Sequence, residues 1–475
     1  MRDFLPADKA VREGVMAAIR DSFASYGYRE IETPVAEDLD RLTSGQGGDN
    51  EKLVFRILRR GLDPDAAVVV SEAADLGLRF DLTVPLARFY ATHRAQLPAV
   101  FRSVQIAPVW RAERPQKGRY RQFTQCDIDV LGEASDLAEV ELITATLATL
   151  QRIGIPGASV RINDRRVLLG LLDACGLAAE THLRVLIIVD KLDKVGVAGV
   201  ADELRAGGGG GPAVDRLVVL LEDLVAAGLA LPGEAPGTGK GGGEASAPGS
   251  PWPLEPSRRR VAPGQVPDAD RFDATLALLP GAVAGPAAGL ARIRDAVQRA
   301  NPEAVLIADP TLVRGMGYYT GPIFELAHPS STGSVGGGGR YDGMIGRFSG
   351  TDVPACGFSI GFERIVGLVD PARFASGRRQ VALVYESAPD RAAPAGVLVG
   401  WQRQLIEGGA NVRLVARARN MARLLDALAG EGFEAYAAVD ATTPDPGAPG
   451  TTLPLRPLRP DAAAAPPAAT GESGR

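Results

Sequence analysis

Apolar positions near the start of the chain recur at every fourth place, Val11, Val15, Ile19 and Phe23. They share one face and predict an amphipathic helix. Gly27 ends that spacing, and from Tyr28 to Val35 apolar residues alternate with charged ones, as in a half-buried strand. Leu78 to Leu131 reads as short strand-like runs split by a very charged turn, Arg111 to Arg121. Leu137, Val140, Ile143 and Leu147 mark a second helix, capped at Ser135/Asp136 and running to about Leu150. The pattern breaks over 206–271. Within it, 232–268 is dense in Gly, Pro, Ala and Ser, too little apolar surface to offset chain entropy, and predicts a disordered insert. Periodicity returns from Leu290 to Leu368. Beyond it, Val381–Tyr385 and Val412–Val415 read as strands, and Trp401–Ile406 and Met421–Ala429 as helices. That alternation predicts a small α/β module over 379–440. Residues 441–475 carry eight prolines and a poly-Ala stretch, and are expected to form a disordered tail.

Composition narrows the classes. The chain has 475 residues, 45% apolar and 23% charged, which suits a globular protein of about three units. Lysine occurs at only six positions among 52 basic residues, a bias of composition rather than of any one site. A net charge of −5 excludes nucleic-acid binding by bulk charge alone but leaves room for a local basic surface. The three cysteines and three histidines are scattered without ligand-like spacing, which argues against a zinc centre or a disulfide framework. No apolar run approaches the roughly 18 residues of a membrane span. The N-terminus lacks the basic and apolar regions of a secretory signal, so the expected location is cytoplasmic and no membrane partner is expected.

Four runs carry candidate chemistry. Arg111 to Arg121 holds five cations in eleven residues, which repel unless an anion lies between them. Pro115 and Gly118 make its middle a turn, so two arms can run back antiparallel and present guanidinium forks suited to phosphate. On the outgoing arm Phe123 could stack on a flat base, while Gln125 and Asp129 alternate with Cys126 and Ile128. The second run, Arg314 to Gly321, sets glycines around Tyr318 and Tyr319 and leads to Phe324 and Glu325. The third, Gly336 to Asp342, places Arg340 and Tyr341 after four glycines and is expected to be a tight loop or bulge. The fourth, Gly357 to Arg364, reads as a strand entering a helix that ends in one arginine.

Taken with Arg2–Pro6, Gly27–Pro34 and Arg79–Pro85, these runs resemble the histidyl-tRNA synthetase family of class II aminoacyl-tRNA ligases, over roughly residues 2–205 and 285–370. Gly27–Pro34 resembles class motif 1, Arg111–Asp129 motif 2 and Gly357–Arg364 motif 3. Arg314–Gly321 and Gly337–Asp342 resemble the family's own histidine segments. The resemblance implies an α+β fold: a class II antiparallel sheet flanked by helices, with a helical insertion and a small C-terminal α/β domain. It implies that Arg111 holds the α-phosphate of ATP and the amino-acid carboxylate, and that Glu113 accepts from the adenine amino group. Arg119 and Arg364 would take the γ-phosphate end, with Phe123 and Arg364 sandwiching adenine. Asp81, Thr83 and Gln125 would bind the ammonium of histidine. Asp129 and Tyr319 would hold the imidazole nitrogens, with Tyr318 and Tyr341 also in the histidine pocket. Arg314 would stabilise charge at the α-phosphate, so Arg111 and Arg314 are the implied catalytic pair.

The implied reaction joins histidine and ATP to histidyl-adenylate and then charges tRNA(His), with Mg2+ held mainly through the phosphates rather than by a protein metal site, in a homodimer built on motif 1. The expected organisation is a catalytic core over 1–165, a helical insertion over 166–305, the core continued over 306–370, the divergent anticodon-binding-like module over 379–440, and the tail. In that module Arg417, Arg419 and Arg423 are the candidate tRNA contacts. Gly317 departs from the family's Asp or Asn before the paired tyrosines. Two alternatives remain at this stage: a paralogue that makes an adenylate for a non-tRNA acceptor, and the non-catalytic histidine-sensing regulatory subunit of ATP phosphoribosyltransferase. The presence of Arg111, Glu113, Arg119 and Arg364 favours the enzyme.

Overall fold

The computed structural model describes residues 1–43, 53–62, 73–114, 120–207, 211–226, 268–314, 318–331, 333–374, 378–448 and 450–458. Arg119, Gly317, the insert read over 232–268 except its last residue, and the tail from 459 onward lie outside them. The chain divides into two units, Met1–Phe374 and Ala375–Arg475.

The first unit contains β1 (Arg29–Glu30), β2 (Ala36–Asp38), β3 (Arg56–Leu58), β4 (Ala74–Leu78), β5 (Phe101–Trp110) and β6 (Gln122–Leu131). It continues with β7 (Ser159–Asp164), β8 (Val305–Ala308), β9 (Pro322–Ala327), β10 (Gly336–Arg340) and β11 (Ala355–Gly361). Eight of these form one sheet in the order β1-β5-β6-β11-β10-β9-β7-β8. Its pairings are antiparallel except β1–β5 and β7–β8. Period-2 alternation sorts its two faces. Cys126, Ile128, Val130, Val160, Ile162, Phe358 and Ile360 join one buried core with Val15, Ile19 and Phe23 of the helix Pro6–Ser25. The helices Leu137–Arg152 and Ala284–Ala300 complete that layer through Leu142, Ile143, Ile293 and Val297. A small antiparallel sheet, β2-β4-β3, stands beside it. Helices Arg165–Cys175, His182–Val189, Leu192–Ala206, Pro212–Ala226 and Asp268–Ala277 fill the stretch between β7 and the helix Ala284–Ala300.

Three elements differ from the sequence reading. Between Leu78 and Leu131 the chain is not all strand: Thr83–His93 is a helix. Its Val84, Pro85, Leu86, Ala87 and Tyr90 are all buried, so burial on several sides hides the 3.6 period, and its first turn is held by Asp81 Oδ1 accepting from Val84 N at 3.1 Å. Gly336–Arg340 is no loop but a central strand, paired on both sides. The third difference lies in the second unit.

That unit contains β12 (Gln380–Tyr385), β13 (Asn411–Ala416), β14 (Ala435–Val439) and β15 (Arg456–Pro457), in the order β13-β12-β14-β15. Leu383 faces Trp401 of the helix Ala395–Glu407, while Ala382 and Val384 face Leu428 of the helix Met421–Gly430, so helices cover both faces. The stretch 450–458, expected as tail, is ordered: β15 pairs with β14, and Leu455 and Leu458 pack into the two cores. Trp401 Nε1 also donates to Pro444 O at 2.8 Å. Prolines at an edge strand are compatible with pairing because only one side of the strand must bond.

Candidate active site

The other face of the large sheet floors a cleft of about 1290 Å³. Asp81, Thr83, Arg111, Glu113, Phe123, Gln125, Asp129, Arg314, Tyr318, Tyr319, Tyr341 and Arg364 all line it. Residues that lie far apart in the chain thus meet in one cavity, leaving Arg119 outside the described residues. Arg417, Arg419 and Arg423 belong to the separate C-terminal unit.

The hairpin β5–β6 pairs without interruption from Phe101↔Leu131 to Trp110↔Gln122, which delivers the motif 2 side chains to the cleft. Arg111 Nε donates to Phe80 O at 3.0 Å, and its guanidinium stands 5.0 Å from the Phe123 ring centre. At the end of β11, Glu363 accepts from both terminal nitrogens of Arg12 at 2.7 Å and from Thr124 N at 3.2 Å. Burial raises the Glu363 pKa, but Arg12 and Arg2 outweigh it and hold the carboxyl below its ordinary value. That clamp fixes the short helix Phe362–Ile365, and with it Arg364, against β6.

Three carboxyls lie buried in the cleft. Burial pushes Asp81 up to about 6 against the backbone N–H of Val84 and the charge of Arg111. Burial, then the neighbouring Asp129, raises Asp127 well above the carboxylate range. Asp129 is pushed to about 7 by burial, with Asp81 adding and the Tyr341 hydroxyl opposing; that hydroxyl donates to Asp129 Oδ1 at 2.5 Å. A glycine at 357 is required here, because a Cβ would collide with the Asp129 carboxylate. Gln125 Nε2 donates to Asp127 Oδ2 at 3.2 Å and to Ser359 Oγ at 3.1 Å. Its carbonyl Oε1 is buried with no partner among the described residues. Tyr318 and Tyr319 hydroxyls stand 3.4 Å apart, and burial raises both phenols, Tyr318 to about 12. The cleft thus sets guanidiniums beside buried acceptors, Arg111 near Asp81 and Asp127 and Arg314 near Tyr319, and can meet both an anion and several N–H donors.

Five contributors were not singled out by sequence reasoning: Asp127, Ser359, Arg161, Glu363 and Ser334. Asp127 alternates with Gln125 and Asp129, so period 2 would have found it, and Ser359 and Glu363 fall inside the Gly357–Arg364 run; Arg161 and Ser334 have no local signature.

A mainly antiparallel sheet with a helical layer on one face and, on the other, an arginine-bearing cleft lined by motifs 2 and 3 and the two histidine segments, is the architecture of a class II aminoacyl-tRNA synthetase. Two solved structures share the fold: histidyl-tRNA synthetase from Nostoc sp. PCC 7120 (TM-score 0.65, 24% identity, covering 92% of this chain and 89% of that one) and an ATP phosphoribosyltransferase regulatory subunit/histidyl-tRNA synthetase from Bacillus halodurans (TM-score 0.64, 19% identity, 92% and 96%). The Histidyl-tRNA synthetase family model matches residues 1–225 and 264–365. The histidine–tRNA ligase of Leifsonia xyli subsp. xyli is 51% identical over 465 residues, 96% of this chain and 97% of that one. That of Aeropyrum pernix is 34% identical over 417 residues, 87% and 83%. The chain belongs to the histidyl-tRNA synthetase family.

Proposed function

We infer that the chain is a histidine–tRNA ligase, an enzyme that activates histidine with ATP and esterifies the product to tRNA(His). The observation that supports this best is the single cleft that holds both the arginines suited to a triphosphate and the buried carboxyls suited to a cationic amino acid. In our reading Asp81, Thr83 and the orphaned Gln125 carbonyl accept from the substrate ammonium. Asp129 and Tyr319 take the imidazole N–H and nitrogen, with Tyr341 locking the Asp129 carboxylate. Tyr318 closes the wall.

Held there, a carboxylate oxygen of histidine attacks the α-phosphorus of ATP, the bond to the bridging oxygen breaks, and pyrophosphate leaves with the electron pair. Arg111 and Arg314 neutralise charge that grows on the α-phosphate, so catalysis is positioning plus electrostatics, with little proton transfer by the protein. Glu113 and Phe123 orient adenine, and Arg364, with Arg119, meets the distal phosphates. Among the described residues no three His, Cys, Asp or Glu side chains converge to hold a metal ion. In our reading Mg2+ is held mainly through the triphosphate oxygens, where it would supply further charge neutralisation. We read the assembly as a homodimer formed through Gly27–Pro34. Among the described residues no single helix is long and apolar enough to cross a membrane, and we place the enzyme in the cytoplasm.

Histidine-dependent exchange of labelled pyrophosphate into ATP, followed by charging of tRNA(His), tests the reading; absence of both would refute it. Arg314→Ala should lower the exchange kcat by about 100-fold or more while the histidine KM changes little. An unchanged kcat would remove Arg314 from the mechanism.

A further inference from the structure

Strand register lays a polar row across the cleft floor. Asp127 faces Ser359, Ser359 faces Gly337, Gly337 faces Glu325, and Glu325 faces Arg161. Gly337 is the one member without a side chain, and Arg314 occupies the space this leaves. A Cβ built at Gly337 would lie 2.7 Å from Arg314 Nη1 and 2.8 Å from Phe324 O. Arg314 itself sits in a chain segment whose next three residues lie outside the described ones. Its direction is set from the sheet. Nε and Nη2 both donate to Glu325 Oε2, at 2.9 and 2.6 Å, and Nη2 also donates to Ser334 Oγ at 2.7 Å. Nη1 lies over Gly337 with no hydrogen-bond partner among the described residues, in a side chain that is 32% exposed and lines the cleft, which leaves one edge of the guanidinium unbonded.

Glu325 is fixed in turn. Its Oε1 accepts from Arg161 Nη1 at 3.0 Å, and Arg161 Nε donates to the buried Asp309 at 2.7 Å. Asp309 Oδ1 accepts from both the backbone N–H and the hydroxyl of Thr311, at 3.0 and 2.7 Å. Burial would raise the Glu325 carboxyl, but the two guanidiniums outweigh it and keep it ionised. A carboxylate shared between two arginines, one rooted in the sheet and one reaching into the cavity, transfers the rigidity of the strands to the reaching one.

We propose that Glu325, anchored by Arg161, is the positioning residue that aims the unbonded edge of Arg314 at the reacting phosphate. This rests on the ligase reading given above. A guanidinium released from Glu325 would sample many rotamers, and preorganised charge is what lowers the barrier.

The test is a double-mutant cycle on the full-length protein, read by histidine-dependent pyrophosphate exchange. Glu325→Gln keeps the shape and removes the charge; it should lower kcat by about 10- to 100-fold and leave the histidine KM within about 2-fold. In an Arg314→Ala background the same change should cost less than about 3-fold, because the group it aims is gone. Ser334→Ala removes the second tether, together with the Ser334 Oγ donation to Gly336 O at 2.6 Å, and should cost about 3- to 10-fold in kcat, which keeps the idea testable if Glu325→Gln misfolds. Independent, multiplicative losses in the cycle would overturn the proposal, as would a loss confined to KM. Exchange intact in Glu325→Gln would overturn the positioning role alone, while no exchange in the unsubstituted protein would overturn the ligase reading and this inference with it.

Discussion

Asp129→Asn should make the unliganded protein more stable and less able to use histidine, and the first effect should grow with pH. In the folded chain this carboxyl is 3% exposed and bonded to the Tyr341 hydroxyl at 2.5 Å. Burial and the nearby Asp81 push its pKa from 3.8 to about 7. A carboxyl raised on folding holds its proton more tightly in the native state. Its favourable contribution is therefore complete below the unfolded value and is lost as pH rises through the folded one. Between pH 5 and the folded pKa near 7, each pH unit removes about 1.4 kcal/mol, or about 3 kcal/mol in all by pH 8.

Asparagine has nearly the same shape, can still accept from Tyr341 and carries no charge, so it escapes that loss. For a unit spanning Met1–Phe374, an unfolding entropy of about 2 cal/mol/K per residue converts 3 kcal/mol into about 4 °C. Calorimetric melting of both proteins without ligands, at pH 5 and pH 8, should show the variant's advantage widening by about that amount toward pH 8. The same variant should lose at least about tenfold in histidine-dependent exchange, since the charged acceptor is gone. A melting difference that is flat with pH, or that widens toward acid, would show that Asp129 is not a strained carboxylate and would remove the reason to place a cation beside it.

Two further predictions concern other parts of the chain. Arg340 Nε and Nη2 donate to the two oxygens of Glu139 at 2.6 and 2.7 Å, both side chains being almost fully buried, and so tie β10 to the helix Leu137–Arg152. Arg340→Ala should cost about 3–5 kcal/mol in urea denaturation by stranding Glu139, and Arg340→Met with Glu139→Leu should recover most of it. In the C-terminal unit, Arg419→Ala with Arg423→Ala should raise the KM for tRNA(His). If both arginines meet phosphates, the slope of log KM against log salt should flatten by about 0.7–0.9 for each arginine–phosphate pair removed; an unchanged slope would take them off the tRNA surface.

Much of this molecule was legible in order along the chain. The helix Pro6–Ser25 follows from its own periodicity, because it buries one face only, and β12 after Gln380 follows from a short continuous apolar run, because helices bury both of its faces. The motif runs were legible because glycines and cations cluster there for local reasons. Where an element is enclosed on more than one side, that signal fails. Thr83–His93 shows no clean stripe, since Val84, Leu86, Ala87 and Tyr90 all face neighbours. Gly336–Arg340 shows no strand propensity at all, yet it is a strand because the partners on either side, β9 and β11, supply all its pairing. Its glycines are there for what crosses them: at 338 a Cβ would strike the Gly357 carbonyl, and at 337 it would meet Arg314. In the C-terminal unit, proline content suggested disorder for 450–458, but an edge strand needs hydrogen bonds on one side only, and Leu455 and Leu458 supply the burial.

The floor of the cleft marks the deeper limit. Glu325 and Arg161 are 164 residues apart and Asp127 and Ser359 are 232 apart, so no window of sequence contains either pair. Each residue taken alone is an ordinary polar position on a strand whose alternate residues are apolar, the pattern of any sheet wet on one face. Only register turns them into a row, and register is set by the whole set of pairings from β6 to β7. The row then explains why motif arginines recognisable from local sequence can act together: Arg314 is held by a carboxylate on β9, and that carboxylate by an arginine on β7. A one-residue slip of β9 would turn Glu325 into the helical core and Phe324 into the cleft, and the reaching arginine would lose its anchor. Local sequence therefore names the groups that meet the substrate, and strand pairing decides whether they point at it.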